Sequence, residues 1–200
     1  MQKKPLISRA VFCVINVTLF LIAGALTMVL FNSTIQLSVV PSESMYPTLH
    51  IGSCLVSKVN CKNLNTDDIV IFTPFGTVPR PPIAYAVEVS KHCKQGGVLY
   101  VKRIVGCPGD TVEVRNGNLI RNGTVVCADY TAEPLMDYDM AEIQLGENEY
   151  FVMGDNRATS QDSRNTAVGC IAEEQIVGRA VFRLWPLRQF GVIKKFSEEG

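Results

Sequence analysis

The chain has 200 residues, enough for one domain with a real core and a short appendage. Its 19 acidic and 19 basic residues cancel, so no overall pull towards nucleic acid is expected and nucleic acid is not among the anticipated partners. Hydrophobic residues make up 47% and mean hydropathy is +0.16, at the apolar end of the soluble range, and much of that excess comes from one stretch.

Residues 10–31, AVFCVINVTLFLIAGALTMVLF, carry no charge and only Asn16, Thr18 and Thr27 as polar members. At 1.5 Å rise per residue, about 20 apolar residues in a helix cross a hydrocarbon core of about 30 Å. A cleaved secretory leader usually has an apolar core of only about 7–15 residues. This one is longer and no small-x-small site closely follows it, so a retained transmembrane anchor is expected. Lys3, Lys4 and Arg9 precede the span, and no Lys or Arg follows until Lys58. The positive-inside rule then assigns 1–9 to the cytoplasm, 10–31 to the membrane and 32–200 to an extracytoplasmic domain.

Beyond residue 35, short apolar runs alternate with turn residues. Expected strands are 35–40, 54–59, 69–72, 84–89, 98–105, 111–115, 118–121, 124–127, 150–153 and 176–185. Asn116-Gly117 and Asn122-Gly123 are tight-turn dipeptides between alternating segments, the strongest short-range hairpin signal. Pro79, Pro81 and Pro82 mark a loop, as does the stretch from Lys91 to Gly97. With no useful helical periodicity outside the span, the exported part is expected to be almost entirely β. Six of the seven cysteines fall in it (Cys54, Cys61, Cys93, Cys107, Cys127 and Cys170), an even number that suits either disulfides of unassigned pairing or small buried thiols. No CxxC spacing occurs and the two histidines are His50 and His92, so no metal site and no cofactor is expected.

Three segments carry chemistry. The first, PSESMYPTLH at 41–50, reads either as a solvated turn or as a strained, extended strand presenting Ser44 as a nucleophile with Ser42 beside it. The second, VLYVKRIV at 98–105, sets Lys102 on one strand face with Tyr100 and Ile104, and Arg103 on the other with Val101 and Val105. A lone strand lysine ordinarily snorkels to water. Buried among apolar groups it would instead lose about 3 pKa units or more from an ordinary value near 10.4, and could then accept a hydroxyl proton. A Ser-His-Asp arrangement is the alternative, although His50 follows Ser44 by only six residues and His92 lies in a polar loop. The third, MGDNRATSQDSR at 153–164, opens on a turn. Its Ser160, Asp162 and Arg164 alternate, so that an extended backbone puts them on one side.

Taken in order, these segments resemble the boxes of the type I signal peptidase (leader peptidase) family, bacterial Ser–Lys endopeptidases. PSESMYPTL is similar to the nucleophile box, VKRIVGCPGD to the lysine box and GDNRATSQDSR to the C-terminal box, over about residues 10–187. GRAVFRLWPL at 178–187 resembles the closing strand of Gram-positive members, and the short gap before the last box matches a compact form. The resemblance implies an antiparallel sheet or partial-barrel catalytic domain behind one N-terminal helix. It implies Ser44 as nucleophile and Lys102 as general base, with an oxyanion hole from the Ser44 N–H and the Ser42 hydroxyl. Ser160 would orient the lysine by a hydrogen bond to its amine. Asp162 with Arg164, and Asp155 with Arg103, would be structural ion pairs. Met45 is assigned to packing or the substrate floor. Ala158-Thr159, Cys107 and Glu43 depart from common family residues without touching this chemistry.

The implied substrates are secretory preproteins with small residues at −1 and −3, cut near the outer membrane surface in the vicinity of the secretion translocon. Ser44 follows Phe31 by 13 residues, a reach of at most about 45 Å. Leu184-Trp185-Pro186-Leu187 reads either as an interfacial segment or as the end of a core strand. Self-cleaving repressors of the same Ser–Lys type, a dedicated-substrate peptidase and a non-catalytic binding domain are the competing readings.

Overall fold

The computed structural model describes residues 6–59, 61–74, 99–127, 129–133, 136–193 and 195, with the side chains of 6–10 and 28–33 left out. The expected strand at 84–89, the proline loop, His92 and Cys93 lie outside the described residues. Two compact units divide the chain at Ile35.

The first unit is one helix, α1, Leu6–Thr34, 29 residues long and so overrunning the expected 10–31 at both ends. Its described apolar side chains are exposed all round, from Val11 to Leu26. Three polar side chains in its middle bond the helix's own backbone: Asn16 Nδ2 donates to the Phe12 carbonyl, Thr18 Oγ1 to that of Val14 and Thr27 Oγ1 to that of Ala23, at 2.7–2.9 Å. Among the described residues, no helix is long and apolar enough to cross a membrane.

The second unit is β, as expected. Its strands are β1 Ile35–Val39, β2 Cys54–Val59, β3 Ile69–Phe72, β4 Tyr100–Gly106, β5 Thr111–Arg115, β6 Asn118–Arg121, β7 Thr124–Val125, β8 Met140–Gln144, β9 Glu149–Met153, β10 Ile171–Ala172, β11 Ile176–Trp185 and β12 Gly191–Val192. The large sheet runs β1-β2-β11-β3-β4-β9-β10, with β12 added on β11, and a smaller sheet runs β7-β6-β5-β8. The strand pairings for which a register is defined are antiparallel. Both sheets are open, with β1 and β10 at the ends of the large one, so no barrel closes among the described residues.

Alternation explains the core. All four residues of β3 are buried because the large sheet is covered on both faces. Ile69 and Ile71 pack with Met45, Leu49, Leu55 and Val101 on one face, and Val70 and Phe72 pack with Ile104, Tyr150 and Val152 on the other. A third cluster, including Val112, Val114, Leu119 and Phe151, joins the small sheet to β9. Asn116-Gly117 and Asn122-Gly123 turn the β5–β6–β7 meander, and all four residues have φ between 50° and 76°, the signature of a two-residue type I′ hairpin.

Candidate active site

The nucleophile segment begins at the end of β1 and is not extended as a strand would be. Ser42 is extended (φ −141°, ψ 169°), but Glu43–Met45 form a single 3-10 turn, closed by the Tyr46 N–H donating to the Glu43 carbonyl. The expected extended presentation of Ser44 is therefore corrected to a helical turn. The cause is packing as much as propensity: the turn drives Met45, fully buried, into the core beside Leu49, whose N–H donates to the Met45 carbonyl at 2.7 Å. Tyr46, ahead of Pro47, returns to extended geometry, as a residue preceding proline does.

Lys102 enters from β4, paired with Val70 of β3. Tyr100 and Ile104 pack on one side of that strand and Val101 on the other, the alternation read from the sequence. The side chain does not snorkel: the residue is 4% exposed, and its Nζ lies 2.6 Å from Ser44 Oγ, which is itself buried. The Ser42 hydroxyl donates to Ser44 Oγ at 3.2 Å. Burial lowers the Lys102 pKa from 10.5 to about 8; Asp162 and Asp155 pull it back upwards and Arg164 presses it down. A neutral amine in hydrogen-bond contact with a serine hydroxyl can take its proton, which is the chemistry of an activated nucleophile. His50, the alternative base, packs edge-on against Tyr46 instead, with ring centroids 5.2 Å apart.

The pair opens on a cleft of about 330 Å³. Val40, Pro41 and Ser42 form one wall, Leu99 to Lys102 the other, and Thr159 and Gln161 the rim. Both walls present backbone edges. β1 ends the large sheet, and β9 reaches β4 only from Arg103 onward, so 99–102 carries no strand on that side among the described residues.

The third segment supports the pair from behind. Asp162, fully buried, accepts from the Gly154 N–H at 2.9 Å and from Arg164 Nε and Nη2 at 2.7 and 2.9 Å. Arg103 and Asp155, both fully buried, form a two-pronged pair at 2.9 and 2.7 Å. Burial opposes the Arg103 charge, but the bonds to Asp155 outweigh it and its pKa lies above the ordinary value. Both ion pairs named from the sequence are thus present.

Ser160 departs from its implied role. Its Oγ is buried without a hydrogen-bond partner, so it does not bond the Lys102 amine; that amine is engaged by Ser44. The Ser160 hydroxyl packs instead against Gly154, where an added Cβ would collide with it and with the Ser44 carbonyl. Gly154 is therefore required by close approach, a reason invisible in the sequence, where it reads only as a turn residue. The same approach lets the Asn156 N–H donate to the Ser44 carbonyl at 3.1 Å. Tyr130 was likewise missed: its ring covers the Arg103 guanidinium at 4.0 Å, and burial pushes its hydroxyl up to about 12. No local pattern marks it, because its partner lies on a distant strand.

Comparison with known proteins identifies the family. The model of the family "Signal peptidase, peptidase S26" matches residues 13–185. The chain is 32% identical over 200 residues to probable signal peptidase I-1 of Synechocystis sp., covering 98% of this chain and 95% of that one. It is 34% identical over 178 residues to signal peptidase I of Bacillus amyloliquefaciens, covering 83% and 82%. Thylakoidal processing peptidase 1 of Arabidopsis thaliana is 40% identical over 162 residues, 79% of this chain but only 44% of that longer one. The matched region runs from within α1 to the end of β11 and holds all three segments around the cleft, so the chain belongs to the signal peptidase family, peptidase S26.

Proposed function

We propose that this protein removes N-terminal signal peptides from secreted preproteins as a membrane-anchored serine–lysine endopeptidase, with Ser44 as nucleophile and Lys102 as general base. The observation that carries the reading is the 2.6 Å contact between a buried, pKa-lowered amine and a serine hydroxyl at the floor of a cleft. Neutral Lys102 takes the Ser44 proton as Oγ attacks the scissile carbonyl. The tetrahedral oxyanion is met by the Ser44 N–H and the Ser42 hydroxyl. Protonated Lys102 then gives its proton to the leaving amine, leaving an acyl-enzyme on Ser44. A water deprotonated by Lys102 releases the acyl group and restores the serine. The reaction needs side chains and backbone alone.

The substrate is an extended strand lying between the open edges of β1 and residues 99–102. Apolar walls from Val40, Leu99 and Val101 within about 330 Å³ suit small side chains at −1 and −3. Residues 10–31 form the anchor, since they are uncharged and their polar side chains bond their own helix, as lipid demands. The N-terminus is cytoplasmic and the β unit extracytoplasmic, beside the point where secretory chains emerge from the translocon. Exposed Trp185, Leu187 and Phe190 fit the membrane interface better than a strand end buried in the core.

The test is incubation of the full-length protein with a membrane-inserted precursor carrying an Ala-x-Ala site, with the products identified by mass. A single cut after the last Ala, blocked when that residue is replaced by Phe, is the expected result. Cleavage elsewhere, or indifference to Phe, would overturn the substrate assignment.

A further inference from the structure

We infer that Arg183, on β11, is a positioning residue for Ser44, acting through the carbonyl of Thr48; the inference rests on Ser44 being the nucleophile. Arg183 Nη1 donates to the Thr48 carbonyl at 2.7 Å and to Gln189 Oε1 at 2.9 Å, and its Nε donates to the Gln189 carbonyl at 2.9 Å. All three acceptors are neutral oxygens. Arg103, Arg164 and Arg179 by contrast each meet a carboxylate. Part-burial disfavours the Arg183 charge, and among the described residues no carboxylate meets it, so its location is not explained by ion pairing. What it does is fix a loop to a strand, and the rigid planar fork of an arginine suits that task.

The loop it fixes is the one that carries the nucleophile. Thr48 lies four residues after Ser44, and the intervening chain is stiffened by the Tyr46–Glu43 and Leu49–Met45 backbone bonds. Thr48 takes a second guanidinium on its hydroxyl, from Arg103 Nη2 at 3.3 Å. Arg103 is the neighbour of Lys102 on β4. The end of the nucleophile loop is therefore clamped between the strand bearing the base and β11, and the shorter of the two clamps is that of Arg183. Gln189 holds the guanidinium from the far side and fixes its aim.

The experiment compares single-turnover cleavage by wild type, Arg183→Gln, Arg183→Lys and Gln189→Ala, with full-length enzyme in excess over precursor. A nucleophile displaced by about 1 Å can lose about 10²-fold in rate. Arg183→Gln is expected to show a loss of that order in the maximal rate with half-saturation unchanged. Arg183→Lys, which can still reach the Thr48 carbonyl, recovers part of it, and Gln189→Ala shows a smaller fall in the same sense. A merely structural arginine would instead lower the melting temperature and the reacting fraction while leaving the rate of that fraction unchanged, and this result would overturn the inference. Ser44→Ala and Lys102→Ala run alongside separate the two readings. If they are inactive while Arg183→Gln is at full rate, only the positioning role fails; if they cleave normally, the nucleophile assignment itself fails.

Discussion

A lysine in water is almost wholly an ammonium at pH 7, and an ammonium cannot accept a proton from serine. Lys102 escapes that limit through burial, which holds about 3 kcal/mol against its charged form in moving the pKa from 10.5 to about 8. Asp155 and Asp162 work in the opposite sense, yet each is tied to an arginine, which blunts its pull on the amine. The sign of the pH effect follows. The proposed base is active when neutral, so kcat/KM should rise about tenfold per pH unit from pH 6 towards 8 and level off above it. A rate profile flat from pH 6 to 9 would remove Lys102 from the role of base. The residue scale also shows what a motif conceals. Ser44 Oγ accepts from both Ser42 and Lys102, whereas the Ser160 hydroxyl lies against Gly154, a contact set by tertiary approach rather than by spacing.

Among the elements, the strand bearing Lys102 also carries Arg103, and successive side chains on a strand face opposite ways. One strand thus supplies the amine on one face and a fully buried cation on the other, which Asp155 neutralises from the turn after β9. Asp155→Asn would strand the Arg103 guanidinium without its counter-charge, a loss of about 3–5 kcal/mol that should appear as a lowered denaturation midpoint. A midpoint within about 0.5 kcal/mol of wild type would mean that Tyr130 and the Asp67 carbonyl suffice for Arg103. The hairpins around Asn116-Gly117 and Asn122-Gly123 were legible because the turn type demands positive φ at both central residues. β8 was not. Its residues MAEIQ are mostly exposed and it pairs with β5 alone, so no buried face imposes alternation on the sequence. The 3-10 turn at Ser44 was hidden for a different reason: the prolines at 41 and 47 signal an irregular segment, but the turn arises from burying Met45 and Leu49, which only the folded sheet provides.

For the molecule as a whole, the sequence sets an uncharged stretch at 10–31 apart from a β-rich remainder, and the two compact units divide after Ile35, four residues beyond the end of that stretch. Membrane placement is the part that composition argues most directly. If the β unit is extracytoplasmic, exposed Cys127 should react with a membrane-impermeant maleimide added to intact cells, while an epitope tag ahead of Lys3 stays protected from external protease. Labelling of Cys127 only after lysis would reverse the topology. The cleft, the ion pairs behind it and the Arg183 clamp all converge on one contact between Ser44 and Lys102. The measurement that tests it most directly is precursor cleavage by wild type, Ser44→Ala and Lys102→Ala, each first checked for an unchanged melting transition. Each substitution alone is expected to abolish cleavage; Lys102→Ala cleaving at a rate near that of wild type would remove Lys102 as the base.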